Sequence, residues 1–543
     1  MLAAARMGLP RAHCDAGNDW NHFMSVIHRF DLAVQARPDH PCLLWDQGQL
    51  TYREAHSLSH RIACGLRESG FMPGTKGAVL SANDAYAFVC VLGLMRAGLV
   101  WLPLNPRNPL AENARSLADF DCEVLFFHSE FEADVPRLQQ SARNIRLVVP
   151  IDRSAAGEAV LSIWAARQSD HFEPLILSPE HPAAISATGG TTGQSKGVVH
   201  TIGSFEAFTT AHRELHRRDA DPVFLAAAPM THAGGRMCLS VVGQGGTLVV
   251  LARPEPQTVL QAIERYHVTR LYLPPTSIYA LLARDDRRQY DYRSLKYFIY
   301  GGAPMSLEKL RQAIDVFGPV MSAGYGQTEA PLAIAHFPPE DHFVNSRLGG
   351  EIASDARLAS CGRPTRFVEV SIMDDGGQFV STGTAGEIVI RGSIVMQGYY
   401  RNEEATAESR RGPWHLTGDV GYFDEEGFLY LVDRKRDMII TGGFNVYPSE
   451  VEQVILSLPG VQDCAVVGVP DEKWGEAVKA VVQLLPRSTL TAEEIISACR
   501  PRLGGVKTPK SVELWPDLPR STVGKVLRRT IRDRYWMNRA RAI

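Results

Sequence analysis

In the stretch Ala187-Thr-Gly-Gly-Thr-Thr-Gly-Gln-Ser-Lys196-Gly197, glycines and hydroxyls crowd ahead of a single lysine. This is the local chemistry of a phosphate cradle. Glycines such as Gly189, Gly190 and Gly193 let backbone N–H groups turn toward an anion, Thr188, Thr191 and Thr192 offer hydroxyl donors, and Lys196 supplies a mobile positive charge. It is not a Walker loop, because Ser195 stands where that motif needs a glycine directly before its lysine. Read alone, the stretch is equally a Gly/Thr turn, so its meaning depends on what accompanies it.

Four further segments follow in order: Ala323-Gly-Tyr-Gly-Gln-Thr-Glu329, Trp414-His-Leu-Thr-Gly-Asp419, Asp433-Arg-Lys-Arg-Asp-Met-Ile-Ile-Thr-Gly-Gly443 and Pro519-Arg-Ser-Thr-Val-Gly-Lys525. In this order and spacing, the series resembles the adenylate-forming superfamily: acyl- and aryl-CoA synthetases, peptide-synthetase adenylation domains and luciferases. The resemblance runs from Leu50-Thr-Tyr-Arg-Glu54 to Lys525. It implies a first step that joins a carboxylate to the α-phosphate of ATP, releasing pyrophosphate. Two anions must meet while charge builds on phosphoryl oxygens, a problem met by positioned donors, a lysine and Mg²⁺.

By resemblance, Thr188 to Lys196 hold the β- and γ-phosphates, with Gly189 where many relatives carry serine and Ser195 where many carry proline. Tyr325, beside Gly326, offers an aromatic face to adenine, Thr328 a hydroxyl to the α-phosphate, and Glu329 a carboxylate to Mg²⁺. Gly302, Ala303 and Pro304 line the adenine and acyl pocket. Asp419 accepts from the ribose hydroxyls with Arg434 assisting, although Thr-Gly-Asp alone is also an ordinary turn. His232 gates and orients the substrate carboxylate, or is a structural hydrogen-bonding residue. Lys525 swings in to bridge carboxylate and phosphate during adenylation; the alternative is an exposed Gly-Lys pair. Arg436 takes the hinge position, and Gly442 and Gly443 line a pantetheine tunnel for coenzyme A. Arg236, four residues past His232, meets either a second polar group on the acid or a salt-bridge partner at the pocket rim.

The reading that follows is an ATP-dependent acid:CoA ligase acting on a fatty, cyclic or aromatic acid. Its rivals are a stand-alone adenylation enzyme that loads a separate carrier protein, and a non-catalytic nucleotide-binding protein. Composition agrees with a globular enzyme. The chain has 543 residues, 45% hydrophobic and 22% charged, with a formal net charge of −3 that gives no attraction to nucleic acid or anionic membrane. Nine cysteines lie singly with no C-x-x-C pair, which suits a reducing cytoplasm and argues against a zinc or disulfide framework. The best membrane-span candidate, Tyr86 to Leu104, is broken by Arg96, Gly98 and Pro103, and reads as a buried helix followed by a strand from Leu99. A homodimer is compatible with all of this.

The elements needed to position these residues are legible as a pattern. Strand-length apolar runs (Leu147–Asp152, Thr247–Leu251, Thr269–Pro275) alternate with helical stretches (Pro256–His267, Ser306–Phe317), which predicts α/β layers. From about Val368, Asp-Gly turns between short strands predict antiparallel sheet. Beyond Arg434, a helix from Pro448, strands Ala465–Val469 and Val478–Leu485 and a helix Ala492–Arg500 are expected. The fold class is thus α/β. The resemblance implies a large N-terminal domain of layered sheets with a small β-barrel-like subdomain (1–433), a hinge (434–436) and a small mobile α+β C-terminal domain (437–543).

Overall fold

The computed structural model describes residues 25–152, 160–188, 196–231, 233–521 and 526–537. Local signals in the sequence set the first elements. Thr51 and Glu54 form a reciprocal capping box at the start of the helix Tyr52–Glu68. Asp84 caps the helix Ala85–Arg96 through the Ala87 N–H at 2.8 Å, and Gly98 at φ 73° turns the chain into the strand Val100–Pro103. The run that could have been mistaken for a membrane span is therefore a helix and a strand of the core. Among the described residues no helix is long and apolar enough to cross a membrane.

Two large sheets form the layers. In the nine-stranded sheet, Pro41–Trp45, Thr247–Val250, Val223–Ala226, Arg270–Leu273, Tyr297–Gly301 and Met321–Gln327 run parallel; Gly48–Thr51 adds at one edge, and Ala330–Phe337 and Arg363–Pro364 add antiparallel at the other. The seven-stranded sheet is parallel from Pro182–Ala187 through Val100–Pro103, Lys76–Leu80 and Cys122–Phe127 to Leu147–Pro150, and ends in the antiparallel strands Gly197–Thr201 and Gly398–Tyr399. Helices lie between the two. One continuous core holds Val89 and Leu92 from Ala85–Arg96, Leu239 and Val242 from the helix Ala233–Val242, Val79 and Phe126 from the seven-stranded sheet, and Ala226 and Val250 from the nine-stranded one. Burying apolar surface on both sides of each helix ties the two sheets into one body.

A third sheet is antiparallel, as the Asp-Gly turns predict: Val368–Met373, Gly386–Gly392, Trp414–Phe423, Arg410–Arg411 and Leu429–Arg434. Its inner face (Ile388, Ile390, Leu429) packs against Tyr325, Ala330 and Ile334. That contact brings the Asp419 segment against the part of the nine-stranded sheet where the Tyr325 motif lies.

The C-terminal sheet comprises Phe444–Val446, Ile439–Thr441, Gly475–Leu484, Val461–Asp471 and Ser511–Leu514. Helices Pro448–Leu456 and Ala492–Lys507 cover one face through Val451, Ile455, Ile495 and Cys499, and the helix Arg528–Trp536 covers the other through Ile531. The helix predicted to end at Arg500 continues to Lys507. Pro501 sits inside it and Gly504 leaves the helical region at φ 67°. A proline is tolerated there at the cost of one ladder hydrogen bond.

Candidate active site

The motif strand Met321–Gln327 turns at Thr328-Glu329 into Ala330–Phe337. Gly326 is required at this turn: a Cβ there would fall 2.1 Å from the Leu332 backbone nitrogen. The turn is held from below by His200, whose Nε2 donates to the Thr328 carbonyl at 2.7 Å while Nδ1 faces the Ser204 hydroxyl at 3.2 Å. Burial, with Arg236 nearby, keeps the His200 pKa well below its ordinary value, so the ring is neutral. A carbonyl can only accept, so the proton of that neutral ring is on Nε2.

Glu329 and Lys196 are linked through a residue that sequence reasoning missed. The Tyr399 hydroxyl donates to Glu329 Oε1 at 2.9 Å, and the Lys196 ammonium stands 4.9 Å from the centre of the same ring. Tyr399 reaches this place because Gly398–Tyr399 pairs with Gly197–Thr201, the strand that follows Lys196. Burial, then the Glu329 carboxylate, raises its phenol pKa. At the base of the loop, the Thr188 N–H donates to the Lys196 carbonyl at 2.9 Å and the Lys196 N–H to Thr188 Oγ1 at 3.2 Å. Gly189, Gly190, Thr191, Thr192, Gly193, His232 and Lys525 lie outside the described residues.

A second polar group forms on the same edge. Asp419 and Arg434 are register partners on neighbouring strands, with Arg434 Nε 2.9 Å from Asp419 Oδ1. The Tyr325 hydroxyl donates to Asp419 Oδ2 at 2.8 Å. Burial works against the Arg434 charge, but Asp419, Tyr325, Asp437 and Glu329 together outweigh it and the guanidinium pKa is raised. Tyr325, Asp419 and Arg434, read from three motifs apart in sequence, are thus one unit. Gly302, Ala303 and Pro304 follow the strand Tyr297–Gly301, whose Gly301 is in register with Gly324.

Gly442 and Gly443 stand apart from this cluster, at the turn of the hairpin Ile439–Thr441/Phe444–Val446. Both have positive φ, 58° and 81°, which a tight two-residue turn demands. The Gly442 N–H donates to the Trp474 carbonyl at 2.8 Å, and a Cβ on Gly442 would lie 2.5 Å from the Trp474 indole. Phe444 beside it is exposed.

Arg236 is in the first turn of the helix Ala233–Val242, buried, with its guanidinium 4.8 Å from the centre of the Phe205 ring and Nη2 3.4 Å from Ser186 Oγ. Burial pulls its pKa down to about 9. Among the described residues it has no carboxylate partner, so the rim salt bridge expected as one alternative does not form there.

A group elsewhere has the composition of a metal centre but not its chemistry. Asp31, His56 and His60 bring ligand atoms within 4.8 Å of one another. His60 Nδ1, however, accepts the Phe172 N–H at 2.8 Å, which puts the ring proton on Nε2, the atom that would have to bind. Arg96 also lies on Asp31, Nη2 to Oδ1 2.5 Å. A cation would displace one and deprotonate the other.

Residues 30–400 match the family model of AMP-binding enzymes, and residues 450–525 that of the AMP-binding enzyme C-terminal domain. The chain belongs to the AMP-binding enzyme family. Its relatives within that family include a medium/long-chain-fatty-acid–CoA ligase of Mycobacterium tuberculosis, 34% identical over 96% of this chain and 92% of the relative. A feruloyl-CoA synthase of an Amycolatopsis species is 35% identical over 90% of this chain and 94% of its own length. Among solved structures, the amide bond synthetase of Marinactinospora thermotolerans superimposes with a TM-score of 0.84 at 30% identity, covering 94% of this chain and all of the other. The two family models span the first, second and last of the five motifs. The Lys196–Tyr399–Glu329 connection could have been sought in the sequence only by noticing Gly398-Tyr-Tyr-Arg401, which carries no periodicity to mark it.

Proposed function

We propose that this AMP-binding enzyme is an ATP-dependent acid:CoA ligase. An acid carboxylate oxygen attacks the α-phosphorus of ATP, the bond to the β-phosphate breaks, and pyrophosphate leaves with the electron pair. The thiol of coenzyme A then attacks the carbonyl of the acyl-adenylate; a thioester forms, AMP departs, and the thiol proton goes to solvent. The observation that carries this reading is the pair of polar groups flanking one glycine-rich strand, Lys196–Tyr399–Glu329 and Tyr325–Asp419–Arg434. One presents a carboxylate together with the cation that ends the Gly/Thr motif in sequence; the other presents a carboxylate already braced by a guanidinium.

In this reading Asp419 receives the ribose hydroxyls, Tyr325 borders adenine, and Thr188, Lys196 and the glycines and threonines between them hold the phosphates. Thr328 meets the α-phosphate, Gly302 to Pro304 border the adenine, His232 orients the carboxylate and Lys525 bridges the reacting groups. Glu329 fits a Mg²⁺ site: Oε1 takes the Tyr399 hydroxyl, whose ring meets Lys196, leaving Oε2 as a hard oxygen donor. When bound, Mg²⁺ neutralises charge on the phosphates. Residues 434–436 act as a hinge between an N-terminal body and a C-terminal domain, and Gly442 and Gly443 leave room for the pantetheine arm in a second orientation. The names of the relatives support a fatty or aryl acid as substrate. Unpaired cysteines support a reducing compartment, since every cysteine among the described residues is a free thiol.

The test is AMP and pyrophosphate release across an acid panel, with and without coenzyme A. Thioester formation with free coenzyme A is expected. Adenylate that transfers only to a carrier protein would replace the ligase reading with the carrier-loading one. Arg436→Pro fixes φ near −65°; it should spare adenylation and slow thioester formation.

A further inference from the structure

Four arginines are buried among the described residues: Arg29, Arg96, Arg236 and Arg270. A guanidinium taken out of water is stable when a carboxylate meets it. Three of the four have one: Glu206 for Arg29, Asp31 for Arg96 and Asp219 for Arg270. Arg236 has none among the described residues. At 6% exposed it lies against the Phe205 ring and the Ser186 hydroxyl, and burial is the influence that acts on its charge. The segment between Thr188 and Lys196, Gly-Gly-Thr-Thr-Gly-Gln-Ser, contains no acid to pair with it. The first turn of the helix Ala233–Val242 is also the positive end of the helix dipole, which disfavours a cation further.

Strand register gives the direction in which this cation faces. Ser186 pairs with Val198, and Val198 with Tyr399, so these three side chains share one face of the sheet. The ladder continues to Thr188 and Lys196, two residues along on the same face, and His200 lies two residues the other way. The cross-links on this face agree. Lys196 stands over the Tyr399 ring, the Tyr399 hydroxyl donates to Glu329, and His200 Nε2 donates to the Thr328 carbonyl. Arg236 Nη2 is at Ser186 Oγ, and its charge reaches His200 and disfavours protonation of that ring. The guanidinium therefore lies on the face that carries Lys196 and the Thr328 turn, with Ser186 about 7 Å along the strand from Thr188.

We propose that Arg236 is a fixed counter-charge for the α-phosphate, unbalanced within the protein and balanced when the nucleotide binds over the Thr328 turn. It acts at one remove, past Ser186 and His200, and is thus a positioning residue. A charge held in a water-excluded site acts over several Å with little screening. Its field falls on the phosphoryl oxygens, where attack by a second anion builds further negative charge. The proposal rests on the ligase reading for the place of the α-phosphate.

AMP and adenosine separate charge from shape, since one carries the α-phosphate and the other is its neutral counterpart. Their affinities are measured by calorimetry for the native enzyme, Arg236→Met and Arg236→Lys, with thermal midpoints taken without ligand. Arg236→Met is expected to weaken AMP at least about 10-fold, the scale for one unit charge several Å away in a partly screened site, and to leave adenosine unchanged. Its ligand-free midpoint should rise, because an apolar chain of similar volume replaces an unpaired buried charge. Arg236→Lys, which keeps the charge, should recover most of the AMP affinity. Arg236→Gln takes the place of Arg236→Met if the latter does not fold, with the same expected change in the AMP-to-adenosine ratio. A lower midpoint with that ratio intact is the signature of a purely structural arginine and would overturn the proposal. So would a loss of AMP binding that Arg236→Lys fails to recover. Absence of thioester from every acid, with the ratio still lowered by Arg236→Met, would instead count against the ligase reading alone.

Discussion

The two sides of the strand Met321–Gln327 solve opposite problems. On one side, charges are matched in place: Asp419 holds Arg434 and Tyr325, and Glu329 holds Tyr399 over Lys196. On the other, a small crevice lined by Phe208, His212, His216, Gly324, Ala333 and His336 has no carboxylate or ammonium in its wall, only apolar surface and neutral imidazoles. The contrast teaches where each kind of specificity is kept. A nucleotide that never changes can be met by a prepaired, rigid electrostatic frame. An apolar wall is matched by shape and by one or two hydrogen bonds, which a few substitutions can alter.

Low pH should break the imidazole-bearing side most severely. Burial holds the pKa of both His336 and His342 at about 4, and keeps His212 and His216 well below the ordinary value. The unfolded chain binds these protons near pH 6.5 and the folded chain does not, so stability is complete above about pH 6.5 and falls toward pH 4, by about 1.4 kcal/mol per pH unit for each such imidazole. Chemical-denaturation midpoints at pH 7, 6 and 5 should drop steeply; a flat profile would mean that the rings are hydrated and titrate normally.

On the other side, the largest effect is expected from Lys525→Ala. Acyl-AMP formation should fall at least about 100-fold, the scale of losing one transition-state electrostatic contact. Supplied with preformed acyl-adenylate, the variant should still make thioester at close to the native rate. Equal damage to both half-reactions would favour a single static site. Asp419→Asn comes next: it takes the anion from between Tyr325 and Arg434, and kcat/KM for ATP should fall about 30-fold, in the range for a buried charged hydrogen bond. A proportionate loss in the KM of the acid would show that the two sides are not independent. Smallest is Tyr399→Phe, which keeps the ring over Lys196 but removes the hydroxyl from Glu329. A loss of about 5-fold, the size of one neutral-donor hydrogen bond, is expected in adenylation, with a shifted Mg²⁺ optimum; an unchanged optimum would detach Glu329 from the metal.

Much of the nucleotide side was legible in the sequence because its residues lie in short contiguous motifs. Asp419 and Arg434 are read from two segments, and the hairpin Asp424-Glu-Glu-Gly427 between their strands announces that they pair. The helix and strand within Tyr86–Leu104 were also readable, since Gly98 marks the break. Tyr399 was not, because a two-residue strand has no alternation to detect. Nor was the crevice. His212 and His216 are spaced as neighbours on a helix, but His336 comes from a distant strand, and their meeting is a property of packing rather than of spelling. Arg236 shows the converse: its position in a first turn was foreseen, while its burial over Phe205 depended on a tertiary contact.

Asp433 is the penultimate residue of the strand Leu429–Arg434, and Arg528 opens the helix Arg528–Trp536, three positions after Lys525. Their ion pair, Nη1 to Oδ1 3.0 Å, joined by the Ser449 N–H on Oδ2 at 2.8 Å, spans the segment assigned as the hinge. In the proposed hinge motion, a turn at residues 434–436 pulls Asp433 from Arg528, which keeps Glu452 as its partner on the helix Pro448–Leu456. With Asp433 almost wholly buried and the groups in contact, dissolved salt screens the closed pair little. The interval between the two proposed steps is then set by desolvation more than by salt: a timing element written in one aspartate and one arginine.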